Sequence, residues 1–218
     1  ERIVPSPEHG ASTRILSKFI FSFFNFSHNS NPSCLVIIVL LTENLSKFAE
    51  RIAKEFVDDK IEVVIGPEKG GIILSQWVAH HLTILNKRKV YSVYAEKIIN
   101  ETGVAKGFEV KRNYDQLVKN KRILVVEDIL TTGGSVKKVV KLVRSIGGNV
   151  VGLGALCNRG KVAAHDVGDV PKFYALLDIE LNSWSSECPL CEKQVPININ
   201  LGKGKEYLKV HPEKAMWK

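Results

Sequence analysis

The chain is short of acidic side chains, of cysteine and of long apolar runs, and each shortage excludes something. Asp and Glu number 23 against 31 Lys and Arg, giving a formal charge of +8. That balance suits a solvated basic surface or attraction for a polyanionic ligand. Four cysteines (Cys34, Cys157, Cys188 and Cys191) are too few and too scattered for a disulfide framework, so a reducing, cytoplasmic setting is expected. No apolar run reaches the roughly 18–20 residues of a bilayer span, and no small-residue cleavage site follows the first apolar run cleanly. A membrane partner is therefore not expected. No aromatic-plus-basic RNA motif or zinc-finger spacing is present, which argues against nucleic acid. Internal repeats and low-complexity tracts are absent as well. Met216 is the one methionine and the first residue is Glu1, as in a fragment or processed product.

What remains is a globular composition, 44% hydrophobic and 25% charged over 218 residues, enough for one good core with a small appendage. Residues 1–41 are atypical: Phe19 to Phe26 is aromatic-rich, Ser27 to Ser33 polar, and Cys34 to Leu41 a short apolar run. From Thr42, an expected N-cap, Leu45, Phe48, Ala49, Ile52, Ala53 and Phe56 follow helical spacing. Strands are expected at Ile61–Ile65, Val90–Ala95, Ile123–Val126, Val150–Cys157 and Phe173–Leu177. Helices are expected at Ile72–Leu82 and Val136–Ile146, the latter stopped by Gly147-Gly148. Strands alternating with helices imply an α/β fold with a parallel sheet flanked by helices.

In such a sheet, ligands sit beyond the carboxyl ends of the strands. Three loops at that edge carry chemistry. The run Ile123 to Ser135 is a buried-strand pattern, then Glu127-Asp128, then Ile129-Leu130-Thr131-Thr132-Gly133-Gly134-Ser135 opening a basic helix with Lys137, Lys138 and Lys141. Carboxylates can accept hydrogen bonds from ribose hydroxyls. The small-residue loop offers amides and hydroxyls to a phosphate, and a helix N-terminus adds partial positive charge. Gly66-Pro67-Glu68-Lys69-Gly70-Gly71 suits a diphosphate through amide donors and one mobile cation, although alone it would read as a helix-entry turn. Asn158-Arg159-Gly160 closes the Val150–Cys157 strand. Its guanidinium either lies in a surface turn or pairs with a carboxylate or carbonyl.

The Glu127 to Ser135 segment resembles the phosphoribosyl-diphosphate (PRPP) loop of type I phosphoribosyltransferases. Gly-Gly-x-Val-Val-Gly followed by apolar residues and x-Arg-Gly looks like the orotate branch of that family. The resemblance implies displacement of diphosphate from ribose carbon 1 by a base nitrogen, with Mg²⁺ on PRPP. It implies Asp128, Glu127 and Lys97 as catalytic residues. PRPP would be bound by Lys69, Gly70, Glu127, Asp128, Ile129, Leu130, Thr131, Thr132, Gly133, Gly134 and Ser135, and orotate by Thr131 and Arg159. The polar stretch from Glu96 to Arg112, with Lys97, Lys106, Lys111 and Arg112, would be a lid over the diphosphate. Family lids reach across a subunit interface, which implies a homodimer. The branch has a denser lysine and histidine cluster in its lid, and none of the six histidines falls here. Over about 13–41 the resemblance fails, where the branch places a lysine-containing hood over the base.

The divisions expected are an N-terminal segment or hood at 1–41, a phosphoribosyltransferase core at 42–180 and an extension at 181–218. The extension carries Cys188-Pro189-Leu190-Cys191, half a zinc site. The simplest reading is a pair without metal. Structural zinc would need His211, His165, Cys157 or a second subunit's pair. A redox role is least expected, because the motif does not open a helix after a strand. For function, orotate phosphoribosyl transfer leads. A phosphoribosyltransferase for a purine or other base, and a PRPP-binding regulator or inactive paralogue, are the alternatives.

Overall fold

A computed structural model describes residues 42–101, 105–179, 188–197 and 204–216. The N-terminal segment 1–41 lies outside the described residues. Helix α1 (Thr42–Glu55) buries Leu45, Ala49, Ile52 and Ala53, one stripe at helical spacing. Its outer face carries the i,i+4 pairs Glu43–Lys47 and Glu50–Lys54.

Strand β1 (Val63–Pro67) follows, then helix α2 (Gly70–Asn86), strand β2 (Tyr91–Ile99), strand β3 (Ala105–Glu109) and the single turn α3 (Asp115–Val118). Strand β4 (Arg122–Leu130), helix α4 (Gly134–Ile146), β5 (Asn149–Asn158) and β6 (Phe173–Asp178) complete the core. The sheet order is β3-β2-β1-β4-β5-β6. Every neighbouring pair is parallel except β2 with β3, which is antiparallel. The carboxyl ends of β1, β4 and β5 therefore open on one edge.

Alternation along the strands divides the core between two faces. Val63, Ile65, Ile123, Val125, Leu153 and Ala155 pack with Val136, Val139, Val140 and Val143 of α4. Val64, Leu124, Val126 and Leu156 pack on the other face with α1 and α2, around Ile52, Phe56, Leu74 and Val78. Helix α4 stops where Gly147 turns to φ 90°, its N–H and that of Gly148 capping the carbonyls of Arg144 and Val143.

Several expected element ends shift. Strand β4 runs to Leu130 rather than Val126, so Glu127 and Asp128 stand within its pleat, Glu127 opposite Ala155 of β5. Helix α2 begins at Gly70 rather than Ile72. Gly70 and Gly71 are selected by close packing on neighbouring backbone and side chains, not by a turn. The stretch after Ala95 is largely a two-stranded hairpin: Glu96 to Ile99 pairs with residues 105–109, with one register shift. Pairing on one side only leaves a weak alternation there, which is why β3 was missed.

The extension holds the one-turn α5 (Pro189–Glu192) and α6 (Gly204–Val210). Among the described residues, no helix is long and apolar enough to cross a membrane.

Candidate active site

Glu127 and residues 129–136 line a pocket of about 120 Å³ at the carboxyl end of β4. It is enclosed by the end of β4, the loop that follows and the first turn of α4. Gly133 enters the helix at φ 70°, a conformation that disfavours side chains, and a Cβ there would lie 2.8 Å from Val167 Cγ1 and 2.9 Å from Val162 Cγ1. The loop over 162–169 thus braces the helix start. Arg144 ties that loop back to α4 by donating to the carbonyls of Gly168 and Asp169. The Thr132 hydroxyl accepts the Gly134 N–H at 3.4 Å. The first-turn amides of α4 have no intrahelical partner and face a site suited to an anion.

The two carboxyls differ. Glu127 is only 8% exposed. Burial, then a hydrogen bond and the charge of Asp128, push its pKa up to about 9, partly offset by the Asp128 amide and by Lys97. Glu127 Oε1 accepts the Asp128 N–H at 3.2 Å. Asp128 is half-buried and its Oδ1 accepts the Ile129 N–H at 2.8 Å. Its Oδ2 is pressed against Gly70, where a Cβ would sit 1.9 Å away. No other residue at position 70 leaves the carboxyl in this place. The β1–α2 loop and the β4 end are thereby brought together.

Lys69 is the exposed N-cap residue of α2, after a cis Glu68–Lys69 peptide, with Glu68 N–H donating to Ala95 O at 3.0 Å. Lys97 lies exposed on β2 opposite Phe108, its charge acting on Glu127. Of the other expected lid residues, Lys111 pairs with Glu109 and Glu96 at 3.0 and 3.4 Å, and Arg112 with Glu96 at 3.5 Å. Among the described residues, no ion pair engages Lys97 or Lys106. Arg159 Nε donates to Thr131 Oγ1 at 3.0 Å, which joins the third loop to the pocket rim.

Cys188 and Cys191 are free and partly exposed, and Lys214 Nζ donates to Cys191 Sγ at 3.6 Å. Cys188 is the N-cap of the single turn α5. The expected completing ligands are engaged elsewhere. Cys157 is buried in β5 with its thiol pushed up to about 12 by burial, His165 pairs with Asp166, and His211 pairs with Glu213. Among the described residues, no three His, Cys, Asp or Glu side chains group to hold a metal.

One residue of consequence escaped the sequence reading. Asn158 is 4% exposed and its amide spans the turn after β5, donating to Val162 O at 2.9 Å and accepting from Val162 N–H at 3.0 Å. An Asn at a strand end before Arg-Gly is the signal that could have found it.

A phosphoribosyl transferase domain model matches residues 39–188. The chain is similar to the orotate phosphoribosyltransferase of Caldanaerobacter subterraneus, 40% identical over 153 residues, which are 69% of this chain and 71% of that one. It is also similar to the orotate phosphoribosyltransferase of Carboxydothermus hydrogenoformans, 40% identical over 175 residues, covering 78% and 82% of the two chains. Two solved structures share the fold. The Mycobacterium tuberculosis orotate phosphoribosyltransferase in complex with PRPP has a TM-score of 0.57 at 20% identity, over 78% of this chain and 91% of that one. The adenine phosphoribosyltransferase of Thermoanaerobacter pseudethanolicus has a TM-score of 0.53 at 21% identity, over 65% and 84%. On the strength of the domain match and of these relatives, the chain belongs to the phosphoribosyltransferase family.

Proposed function

We propose that this chain transfers the phosphoribosyl group of PRPP to orotate, giving orotidine 5′-phosphate and diphosphate in pyrimidine nucleotide synthesis. The observation that carries the choice of base is Arg159, held on Thr131 at the rim of the pocket. A guanidinium there suits the carboxylate of orotate, whereas a purine has no carboxylate to offer. The relatives named orotate phosphoribosyltransferase support the same choice.

In the proposed reaction a ring nitrogen of the base attacks ribose carbon 1, the bond from that carbon to the diphosphate oxygen breaks, and the proton of that nitrogen passes to water or to the departing diphosphate. Positive charge develops on the ribose and negative charge on the departing diphosphate. Residues 129–135 hold the 5′-phosphate through amides and hydroxyls. Glu127 and Asp128 hold the ribose hydroxyls beside the developing cation. The loop at Lys69 and Gly70 takes the diphosphate, and Lys97 closes on it and neutralises the charge that leaves. The half-exposed carboxyl of Asp128 suits Mg²⁺ carried in on PRPP, which would withdraw charge from the leaving group.

A homodimer with the β2–β3 hairpin near the interface, a cytoplasmic location, and a division at 1–41, 42–180 and 181–218 belong to this reading. The domain match beginning at residue 39 supports the first boundary. The test offers PRPP, Mg²⁺ and an equimolar mixture of orotate, uracil, adenine and hypoxanthine, and identifies the nucleotide by mass spectrometry. Orotidine 5′-phosphate is expected. A purine nucleotide as the main product would overturn the assignment of the base.

A further inference from the structure

The arginine read as the base contact is seated against the rim of the phosphate-binding loop, and a buried side chain outside both sets how it sits. Three contacts join the arm that follows β5 to the end of β4. Arg159 N–H donates to Leu130 O at 2.9 Å. Arg159 Nε donates to Thr131 Oγ1 at 3.0 Å. Gly160 lies so close to Thr131 that a Cβ there would fall 1.6 Å from the Thr131 carbonyl oxygen. The arm needs something to hold its curvature, because Arg159 itself is only partly buried and Gly160 is exposed.

Asn158 supplies it. Its carboxamide is buried, and both ends are used on one residue, Val162, across the turn. Its own backbone carbonyl accepts Ile179 N–H at 3.0 Å, which anchors the turn to the end of β6. Asp178 on β6 is its register partner. A group with donor and acceptor both satisfied in a dry setting fixes geometry more than a surface contact does. Val162 in turn packs beneath Gly133 at the start of α4, so the same turn reaches the other side of the phosphate loop.

We propose that Asn158 is a positioning residue that sets the Arg159 arm against Thr131 and so governs affinity for the base. The inference rests on the reading of Arg159 as the base contact. Asn158 touches no reacting atom. Its loss frees the guanidinium without removing it, whereas the Glu127 and Asp128 carboxyls and the Gly134 amide keep hydrogen bonds that do not pass through the turn. The signature is a split between substrates, which a merely structural role would not give.

The test compares the full chain with Asn158→Ala, Asn158→Asp and Gly160→Ala, measuring KM for orotate at saturating PRPP and KM for PRPP at saturating orotate. With Ala at 158, KM for orotate should rise about tenfold or more, as loss of two buried hydrogen bonds near 1 kcal/mol each implies, while KM for PRPP stays within about threefold. Asn158→Asp keeps the bond from Val162 N–H but turns a carboxyl oxygen on the Val162 carbonyl, so it should recover part of the loss only at a pH low enough to protonate it. Gly160→Ala drives a methyl into the Thr131 carbonyl, so it moves arm and loop together and should raise both KM values, the contrast against which the variants at 158 are read; Asn158→Asp carries the test where the Ala variant fails to fold. Equal rises in both KM values with the variants at 158, or none in either, would overturn the inference while leaving the assigned reaction standing. A wild-type chain that uses another base, with that base's KM raised by the variants, would overturn the choice of orotate and uphold Asn158. A wild type with no turnover on any base would overturn both.

Discussion

Replacing Glu127 by Gln should stabilise the ligand-free protein, and increasingly so as pH rises. The substitution keeps shape and keeps an oxygen to accept the Asp128 N–H, but removes the ionisable group. In the folded chain the Glu127 pKa is pushed up to about 9 from the ordinary carboxylate value of 4.5, mainly by burial and then by Asp128. Folded protein therefore holds a proton that unfolded protein releases between those values. The stabilising effect of that proton is fully present below the unfolded pKa and is lost as pH rises towards the folded one. Each unit of separation is worth about 1.36 kcal/mol, so from about pH 5.5 to about pH 8.5 the wild type should lose about 4 kcal/mol relative to the Gln variant. For a chain of this size, about 2–4 °C per kcal/mol, the Tm of the variant should gain roughly 8–16 °C on the wild type across that range. Calorimetric melting at a series of pH values, without PRPP, reads this directly. A Tm difference that stays flat with pH would show that Glu127 is ionised in the folded apo protein and would refute the reasoning.

Other consequences follow from the same geometry. Gly70→Ala puts a methyl where Asp128 Oδ2 lies, so Asp128 must leave. PRPP affinity by titration calorimetry should fall about tenfold or more, the worth of a hydrogen bond to a charged group; unchanged affinity would remove Asp128 from the PRPP site. Lys97→Ala should cut kcat roughly 10²- to 10³-fold in steady-state assays, as loss of one transition-state donor does elsewhere. Turnover unaffected by that change would move the lid function to another residue. Arg159→Ala should raise KM for orotate roughly 10- to 150-fold, from about 1.5–3 kcal/mol for a charged hydrogen bond, with little change in KM for PRPP.

The elements whose apolar period is unbroken were legible in the sequence. The stripe of α1 and the valines of α4 have one face to bury, and the structure buries those faces. The motif from Glu127 to Ser135 was legible because its residue types serve one purpose in one short stretch. The end of β4 was misjudged because a carboxylate reads as the close of a buried strand. Here the strand continues and Glu127 takes the burial as a raised pKa. The hairpin after Ala95 hides in a polar stretch because its charges answer one another, Glu96 on β2 pairing with Lys111 and Arg112 just past β3, rather than advertising a period. Asn158 went unread because its work is done on a backbone four residues away, which spacing alone does not reveal.

The most direct test of the account is to mix the purified chain with PRPP, Mg²⁺ and orotate and follow the loss of orotate absorbance. The account predicts consumption that requires all three components and accumulates orotidine 5′-phosphate and diphosphate in equal amounts. Binding of PRPP without any consumption of orotate would contradict it, and would leave a PRPP-binding protein whose loop no longer serves this transfer.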